Sequence, residues 1–426
     1  MAKPQCSESP PVNKMILVVL AIILAAGPFD AAVAAKYEEL AQAPPMGWNS
    51  WNTFACDIDE KLIRDTADAM VESGMRDAGY VYLNLDDCWH GERDELGFIQ
   101  PDPERFPSGM KALADYVHGK GLKFGIYSDA GDMTCAKRAG SNGHEYQDAL
   151  QYAKWGVDYL KYDWCYTENL SPQGAYRTMR DALRKAGRPI VLSICEWGTN
   201  DPWLWGPEMG HLWRTTGDII NCFDCEVDHG TWSSWGILRI LDMQEGLRQY
   251  AGPGHWNDPD MMEVGNGMSG DEDRAHFSLW AMLAAPLIAG NDLREMSEET
   301  REILTNKDVI AINQDPLGVQ AFKYRDEGDL EYFFKPLADK SWGFLILNRG
   351  DEPADIRFEW RKEDVVDPDF PAEGKGYDAK LRDSRYGYRE LWTGEEGDTG
   401  QVLETTVPAH GVRVYRLDKV ALSHID

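Results

Sequence analysis

Acidic, amide and aromatic residues recur at the ends of short apolar segments in the first two thirds of this 426-residue chain. The positions are Trp51, Asp86, Asp87, Asp129, Asp163, Glu196, Asp218, Asp258, Asp260, Asn291 and Asp292. Aspartates that cap helices would account for one or two of them, but not for the whole series. Two carboxylates that face each other across a pocket suffice for glycoside hydrolysis, because one attacks as a nucleophile and the other donates and then removes a proton. The spacing of these acids along the chain does not by itself identify which two of them are the nucleophile and the proton donor.

The apolar segments are typical of β-strands, because each is short, rich in β-branched and aromatic residues, and bounded by Gly, Pro or Asp. The predicted strands are 46–51, 80–87, 122–129, 159–164, 189–197, 212–219, 254–261 and 286–293. Helical patterns lie between them at 61–74, 108–120, 146–155, 171–186, 231–250, 272–284 and 297–305. Eight strands that alternate with seven helical patterns predict a (β/α)8 TIM barrel, whose catalytic face is formed by the strand carboxyl ends. A doubly wound sheet is the alternative, but it does not usually need eight equal repeats.

The pattern changes after residue 318. Short alternating strands are predicted at 331–334, 342–348, 354–360, 388–391 and 411–417, with Gly and Asp turns between them and no helix of normal length. We therefore predict a barrel at 36–318 followed by a C-terminal antiparallel β-sandwich domain at 319–426.

The N-terminus has the order of a signal peptide. Lys14 precedes an apolar run at 15–26, and the small residues Ala32-Val33-Ala34 fit a cleavage site. We predict a signal peptide at 1–35 and a secreted or periplasmic protein that has no membrane contact once the signal is removed. Seven of the eight cysteines lie after residue 35, and disulfides are expected in an exported protein. An odd number leaves at least one thiol without a partner in the chain.

The net charge of −29 argues against a nucleic-acid partner, because phosphates would be repelled. The 16 tryptophans favour a flat apolar surface on which sugars stack. The sequence leaves the oligomeric state open, a homo-oligomer included.

Eight segments of the predicted barrel form a distinctive series. They read MGWNSW at 46–51, LDDCW at 85–89, GIY at 125–127, KYD at 161–163, CEW at 195–197, RTTGD at 214–218, WNDPDM at 256–261 and VIAINQDPLG at 309–318. In this order they resemble family 27 of the glycoside hydrolases, which contains the α-galactosidases and α-N-acetylgalactosaminidases. The resemblance implies a retaining glycosidase that releases terminal α-linked D-galactose from oligosaccharides, polysaccharides or glycoconjugates, with no cofactor and no metal.

The resemblance implies that Asp163 is the nucleophile and Asp218 the acid/base. Lys161 lies two residues before Asp163 in a predicted strand, so both side chains point to the same face. Its positive charge is expected to keep Asp163 ionised. Asp218 must instead hold a proton for the leaving oxygen.

Further positions match residues that surround the sugar in this family. The implied substrate-binding residues are Trp51, Asp86, Asp87, Tyr127, Cys135, Lys161, Cys165, Glu196, Trp197, Arg214, Asp260 and Met261. Within this set, Asp86 matches the acceptor for the 6-hydroxyl. A bulky acid at Glu196 matches the α-galactosidases, because the N-acetylgalactosaminidases have small residues there that leave space for the acetamido group.

The resemblance also implies two disulfides, Cys56–Cys88 and Cys135–Cys165. Cys222 and Cys225 depart from the family pattern and could form a small loop after Asp218. Cys195 is then the free thiol, with pairing to Cys222 or Cys225 as the alternative.

Three alternative functions remain at this stage. A β-L-arabinopyranosidase would act on a sugar that lacks the hydroxymethyl group of galactose, and an α-N-acetylgalactosaminidase belongs to the same family. A catalytically silent galactose-binding protein is the alternative from another class, and the intact pair of Asp163 and Asp218 speaks against it.

Overall fold

The computed structural model describes residues 36–370 and 377–420. The predicted signal peptide at 1–35 lies outside the described residues. Among those that are described, no helix is both long enough and apolar enough to cross a membrane.

Eight parallel strands form the barrel. They are β1 Met46–Asn49, β2 Tyr82–Leu85, β3 Lys123–Asp129, β4 Tyr159–Asp163, β5 Val191–Ile194, β6 Leu212–Arg214, β7 Trp256–Asp258 and β8 Leu287–Ala289. Their order is β7-β6-β5-β4-β3-β2-β1-β8, and Met262, after β7, bridges to Ala289 of β8 across the remaining gap. The predicted TIM barrel is therefore confirmed.

Most of the strands end earlier than predicted. Cys88, after β2, and Trp197, after β5, have φ angles of 76° and 58°, which no strand contains. The chain turns out of the sheet at these points, and the polar residues that follow each strand lie in loops over the barrel mouth.

The α-helices are Trp51–Phe54, Glu60–Glu72, Met75–Ala78, Gly109–Gly119, Glu145–Trp155, Pro172–Ala186, Ile237–Asp242, Gly270–Met282, Glu298–Leu304 and Lys307–Asn313. Several begin at a side-chain cap: Asp59 accepts from the Leu62 amide, and Ser269 forms a capping box with Glu272. Between β5 and β6 the described chain makes only two 3₁₀ turns, Pro202–Leu204 and Gly206–Glu208, so the eight units are not equal.

The predicted helix at 231–250 is wrong. The segment contains the strand Ser233–Trp235, the short helix Ile237–Asp242 and the 3₁₀ turn Arg248–Tyr250. Ser233–Trp235 pairs with Glu226–Asp228 in an antiparallel hairpin. A second hairpin, formed by His90–Arg93 and Ile99–Pro101, follows β2.

The C-terminal part is the predicted antiparallel sandwich. Its main sheet has the order Phe322–Glu327, Leu330–Pro336, Trp342–Asn348, Val412–Lys419, Tyr386–Glu390 and Glu396–Asp398. The pairs Ala354–Phe358 with Leu403–Val407, and Val365–Val366 with Asp378–Ala379, complete the described strands. Phe344 packs on Phe358 and Trp360 between these strands, and Trp360 begins a 3₁₀ turn, not the end of a strand as predicted.

The sandwich packs against the barrel through apolar and charged contacts. Leu345, Leu347 and Val414 share one apolar core with the barrel. Arg248 donates to both carboxylate oxygens of Asp367, at 2.5 and 2.8 Å, and both side chains are buried.

Candidate active site

One pocket at the carboxyl ends of the barrel strands contains most of the predicted site residues. The predicted residues that line it are Trp51, Asp86, Asp87, Tyr127, Cys135, Lys161, Asp163, Trp197, Arg214, Asp218, Asp260 and Met261. Asn52, which was not predicted, also lines it, whereas Cys165 and Glu196 do not.

Asp163 is the last residue of β4 and is buried at the base of this pocket. Its Oδ1 accepts a hydrogen bond of 2.9 Å from the Trp164 amide. Burial raises the pKa of Asp163 to about 6, although the Lys161 ammonium acts in the opposite direction. The expected effect of Lys161 is therefore present, but burial outweighs it.

Asp218 lies at the rim, and its side chain is 41% exposed. Its Oδ1 accepts a 3.1 Å hydrogen bond from Arg214 Nη2, and the same guanidinium nitrogen lies 2.8 Å from Asp260 Oδ2. The Asp260 carboxylate in turn accepts from the Ile219 amide at 2.9 Å. The buried Arg214 thus fixes Asp218 to the wall of the pocket while leaving it open to solvent.

Two further acids, Asp86 and Asp87, line the pocket directly after β2. Asp86 Oδ2 accepts hydrogen bonds of 2.7 Å from Asn49 Nδ2 and 3.0 Å from Lys161 Nζ. Burial raises the pKa of Asp87, which accepts from the amides of Cys88 and Ala136. The carboxylates are held by protein donors on one side and line the pocket on the other.

Tyr127 completes this wall. Its buried hydroxyl has no hydrogen-bond partner among the described residues, and Lys161 Nζ lies 5.3 Å from the centre of its ring.

Asp129 lies beside Asp163. It belongs to the predicted series of strand-end acids but was not among the predicted site residues. It ends β3 in register with Asp163. Its carboxylate accepts from the amides of Gly131, at 2.7 Å, and Cys165, at 3.0 Å. Burial, with the charge of Asp163, raises the pKa of Asp129 to about 9. Its place in the series of strand-end acids was the signal for it.

Glu196 lies behind the pocket. Its Oε2 accepts hydrogen bonds from Thr199 Oγ1 and from the amide and side chain of Asn200, at 2.6–3.0 Å. Burial raises the pKa of Glu196 to about 7. Its predicted role in excluding the acetamido group stays a prediction.

The cysteines form three disulfides, Cys56–Cys88, Cys135–Cys165 and Cys222–Cys225. Cys165 therefore touches the pocket wall only through its partner Cys135. Cys195 is a buried free thiol 3.8 Å from Arg214 Nη1.

Residues 43–315 match the family described as Alpha galactosidase A, and residues 327–417 match the Alpha galactosidase C-terminal beta sandwich domain. The chain is 61% identical to Alpha-galactosidase A of Cellvibrio japonicus, over 95% of this chain and 99% of that one. The structure of α-galactosidase I from Mortierella vinacea is similar, with a TM-score of 0.81 and 37% identity over 91% of this chain and all of that one.

The α-galactosidase structure from Saccharomyces cerevisiae has a TM-score of 0.82 and 33% identity, over 90% of this chain and 99% of that one. These similarities confirm the resemblance drawn from the motifs. The chain belongs to the alpha-galactosidase A family.

Proposed function

We propose that this protein is a retaining α-galactosidase that hydrolyses terminal α-linked D-galactose, with Asp163 as the nucleophile and Asp218 as the acid/base. The observation that carries the proposal is the asymmetry of the two acids. Asp163 is buried at the base of the pocket, whereas Asp218 lines the same pocket from its solvent-exposed rim.

In the first step, a carboxylate oxygen of Asp163 attacks the anomeric carbon of galactose. A bond forms between this oxygen and C1, and the bond from C1 to the glycosidic oxygen breaks. The electron pair goes to the glycosidic oxygen, which takes the proton of Asp218 and leaves as an alcohol. Trp164 holds Asp163 through its other oxygen, so the attacking oxygen has a fixed direction.

In the second step, water replaces the leaving group. Asp218, now a carboxylate, removes a proton from the water while the water oxygen attacks C1. The bond between C1 and Asp163 breaks, and both acids return to their initial states. Two inversions at C1 give net retention, and the two carboxylates and water complete the reaction.

The remaining pocket residues bind the sugar. Asp86 and Asp87 accept hydrogen bonds from hydroxyls, Lys161 donates to them, and Trp51 supplies an aromatic surface. Asp86 and Asp87 each accept from protein donors and line the pocket, so a sugar with hydroxyls in the matching positions completes their hydrogen bonds.

The experiment that tests the function compares two sugars. We expect kcat/KM for p-nitrophenyl α-D-galactoside to exceed that for p-nitrophenyl β-L-arabinopyranoside by about tenfold or more, because the latter leaves Asp86 without its 6-hydroxyl donor. Asp86→Ile should shrink or reverse this ratio, mainly by lowering galactoside activity. Equal activity of the wild type on both sugars would contradict the substrate assignment, and β-galactose as the first product in proton NMR would contradict retention.

The pH profile reports the state of Asp163. Because only ionised Asp163 attacks, and burial raises its pKa to about 6, kcat/KM for the galactoside should rise with pH through about 6. Lys161→Met should move this midpoint upwards, since the charge that favours the carboxylate is lost. An acid limb near 4, the ordinary aspartate range, would contradict this environment for the nucleophile.

We further propose that the protein is exported and acts outside the cytoplasm on carbohydrate. The signal-like order of residues 1–35 and the three disulfides support this location.

A further inference from the structure

Two consecutive residues at the end of β1 are bonded to Asp86. Asn49 Nδ2 donates to Asp86 Oδ2 at 2.7 Å, and the Ser50 hydroxyl accepts from the Asp86 amide at 3.0 Å. Asn49 and Ser50 are buried, and neither lines the catalytic pocket. They therefore hold Asp86 without occupying the space that a sugar would take.

Asn49 also holds Trp51, through the other atom of its side-chain amide. Its Oδ1 accepts from the Trp51 backbone amide at 2.8 Å. Trp51 begins the short helix Trp51–Phe54, and backbone amides in the first turn of a helix have no partner within the helix. The hydroxyl of Ser50 does not cap this helix, because it accepts from Asp86. Asn49 supplies the acceptor instead, as asparagines do when they bond to their own backbone two residues on.

The side-chain amide of Asn49 makes both bonds at once. The Asp86 carboxylate needs a donor and the Trp51 amide needs an acceptor, and an asparagine offers one of each. A leucine of similar size would offer neither. Asn49 thus connects the residue that we expect to accept from the 6-hydroxyl with the aromatic surface of the same pocket.

The donors around Asp86 leave one of its oxygens for the sugar. Oδ2 accepts from both Asn49 Nδ2 and Lys161 Nζ, whereas Oδ1 accepts only from the Asp87 amide, at 2.9 Å. Each carboxylate oxygen can accept about two hydrogen bonds, so Oδ1 keeps a free position among the described residues. By holding Oδ2, Asn49 fixes the direction in which Oδ1 faces.

We propose that Asn49 is a positioning residue for substrate selection, which orients Asp86 so that its Oδ1 accepts a hydrogen bond from the 6-hydroxyl of galactose. The inference rests on the proposed function and adds the residue that directs Asp86 toward the hydroxymethyl group. Asn49 does not touch the sugar, so it acts on this selection through Asp86. Its bond to Trp51 should affect galactosides with and without a 6-hydroxyl alike.

The test compares two substrates that differ only at C6, p-nitrophenyl α-D-galactoside and p-nitrophenyl 6-deoxy-α-D-galactoside. For Asn49→Leu we expect the ratio of kcat/KM for the first to kcat/KM for the second to fall about three- to tenfold, the range that one hydrogen bond contributes. In the Asp86→Ile background the same substitution should leave the ratio unchanged, because the residue through which Asn49 acts is gone. Asn49→Ala cannot overfill the site and should lower the ratio as well. Activity on the deoxygalactoside shows that each variant has folded.

Asn142→Leu is the matched control. Asn142 Nδ2 also donates to an aspartate, Asp132, at 2.8 Å, but neither of these residues lines the catalytic pocket. Its replacement should leave the ratio at the wild-type value. Equal losses on both substrates in the two Asn49 variants, which leave the ratio unchanged, would overturn the inference. A further fall of the ratio in the Asp86→Ile background would overturn it too, because Asn49 would then act without Asp86. A wild-type protein that hydrolyses neither substrate would instead contradict the proposed function.

Discussion

Asp163→Ala is expected to lower kcat/KM for every α-galactoside by about 10⁴-fold or more, whatever the leaving group. Without this carboxylate no bond to C1 forms, so a better leaving group cannot compensate. The substitution removes a buried carboxylate whose protein donor is the Trp164 amide. The measurement is steady-state hydrolysis of melibiose and of galactosyl fluoride by the same preparation.

Asp132→Ala serves as the control for Asp163→Ala. Asp132 also follows β3 at the same end of the barrel, but it is exposed and does not line the catalytic pocket. Its removal should leave both rates close to those of the wild type. If Asp163→Ala retained more than a few per cent of the activity on either substrate, another residue would have to be the nucleophile.

The barrel could be predicted because its strands are buried on both faces. Every residue of β2 and β5 is buried, and each strand is apolar except for one residue, Asn84 in β2 and Ser193 in β5. The residues at which the strands end were predicted less accurately than the strands themselves. The left-handed backbone at Cys88 and Trp197, where the chain leaves the sheet, depends on the loops over the pocket. The pattern gives no sign of where pairing stops.

The wrong helix at 231–250 has a similar cause. Its apolar residues, among them Ile237, Leu238 and Leu241, recur at helical spacing, and part of the segment is helical. The strand Ser233–Trp235 forms because its backbone bonds to 226–228, across a short turn, and to 218–220. These partners lie outside the segment 231–250, so its own apolar spacing does not indicate them.

The motifs predicted most of the residues of the site, but they did not predict the hydrogen-bond partners of those residues. Asn49 reaches Asp86 because β1 and β2 are neighbours, with Asn49 opposite Asn84 in the register. Glu196 does not line the pocket, and Thr199 and Asn200, only a few residues later, bind its Oε2. Burial raises the pKa of Asp163 and Lys161 lowers it, and which effect is larger depends on the three-dimensional surroundings.

Asp218→Ala should separate the two chemical steps. For melibiose we expect kcat/KM to fall about 10²- to 10⁴-fold, the usual contribution of a general acid, because a sugar alkoxide leaves poorly without a proton. For galactosyl fluoride the fall should be much smaller, since fluoride departs without protonation. The second step then lacks its base, so the bond between C1 and Asp163 persists and a burst of fluoride release precedes a slow steady state.

Azide tests this assignment directly, because it attacks C1 without giving up a proton. Adding azide to Asp218→Ala should raise the steady-state rate with the fluoride and yield galactosyl azide. Asp224→Ala, which removes a 56% exposed acid six residues further along the chain, should show neither the burst nor the azide effect. Equal losses on both substrates, with no response to azide, would mean that Asp218 is not the proton donor. Asp218 is exposed at the rim of the catalytic pocket and Arg214 fixes its carboxylate, and this geometry leads us to expect the opposite.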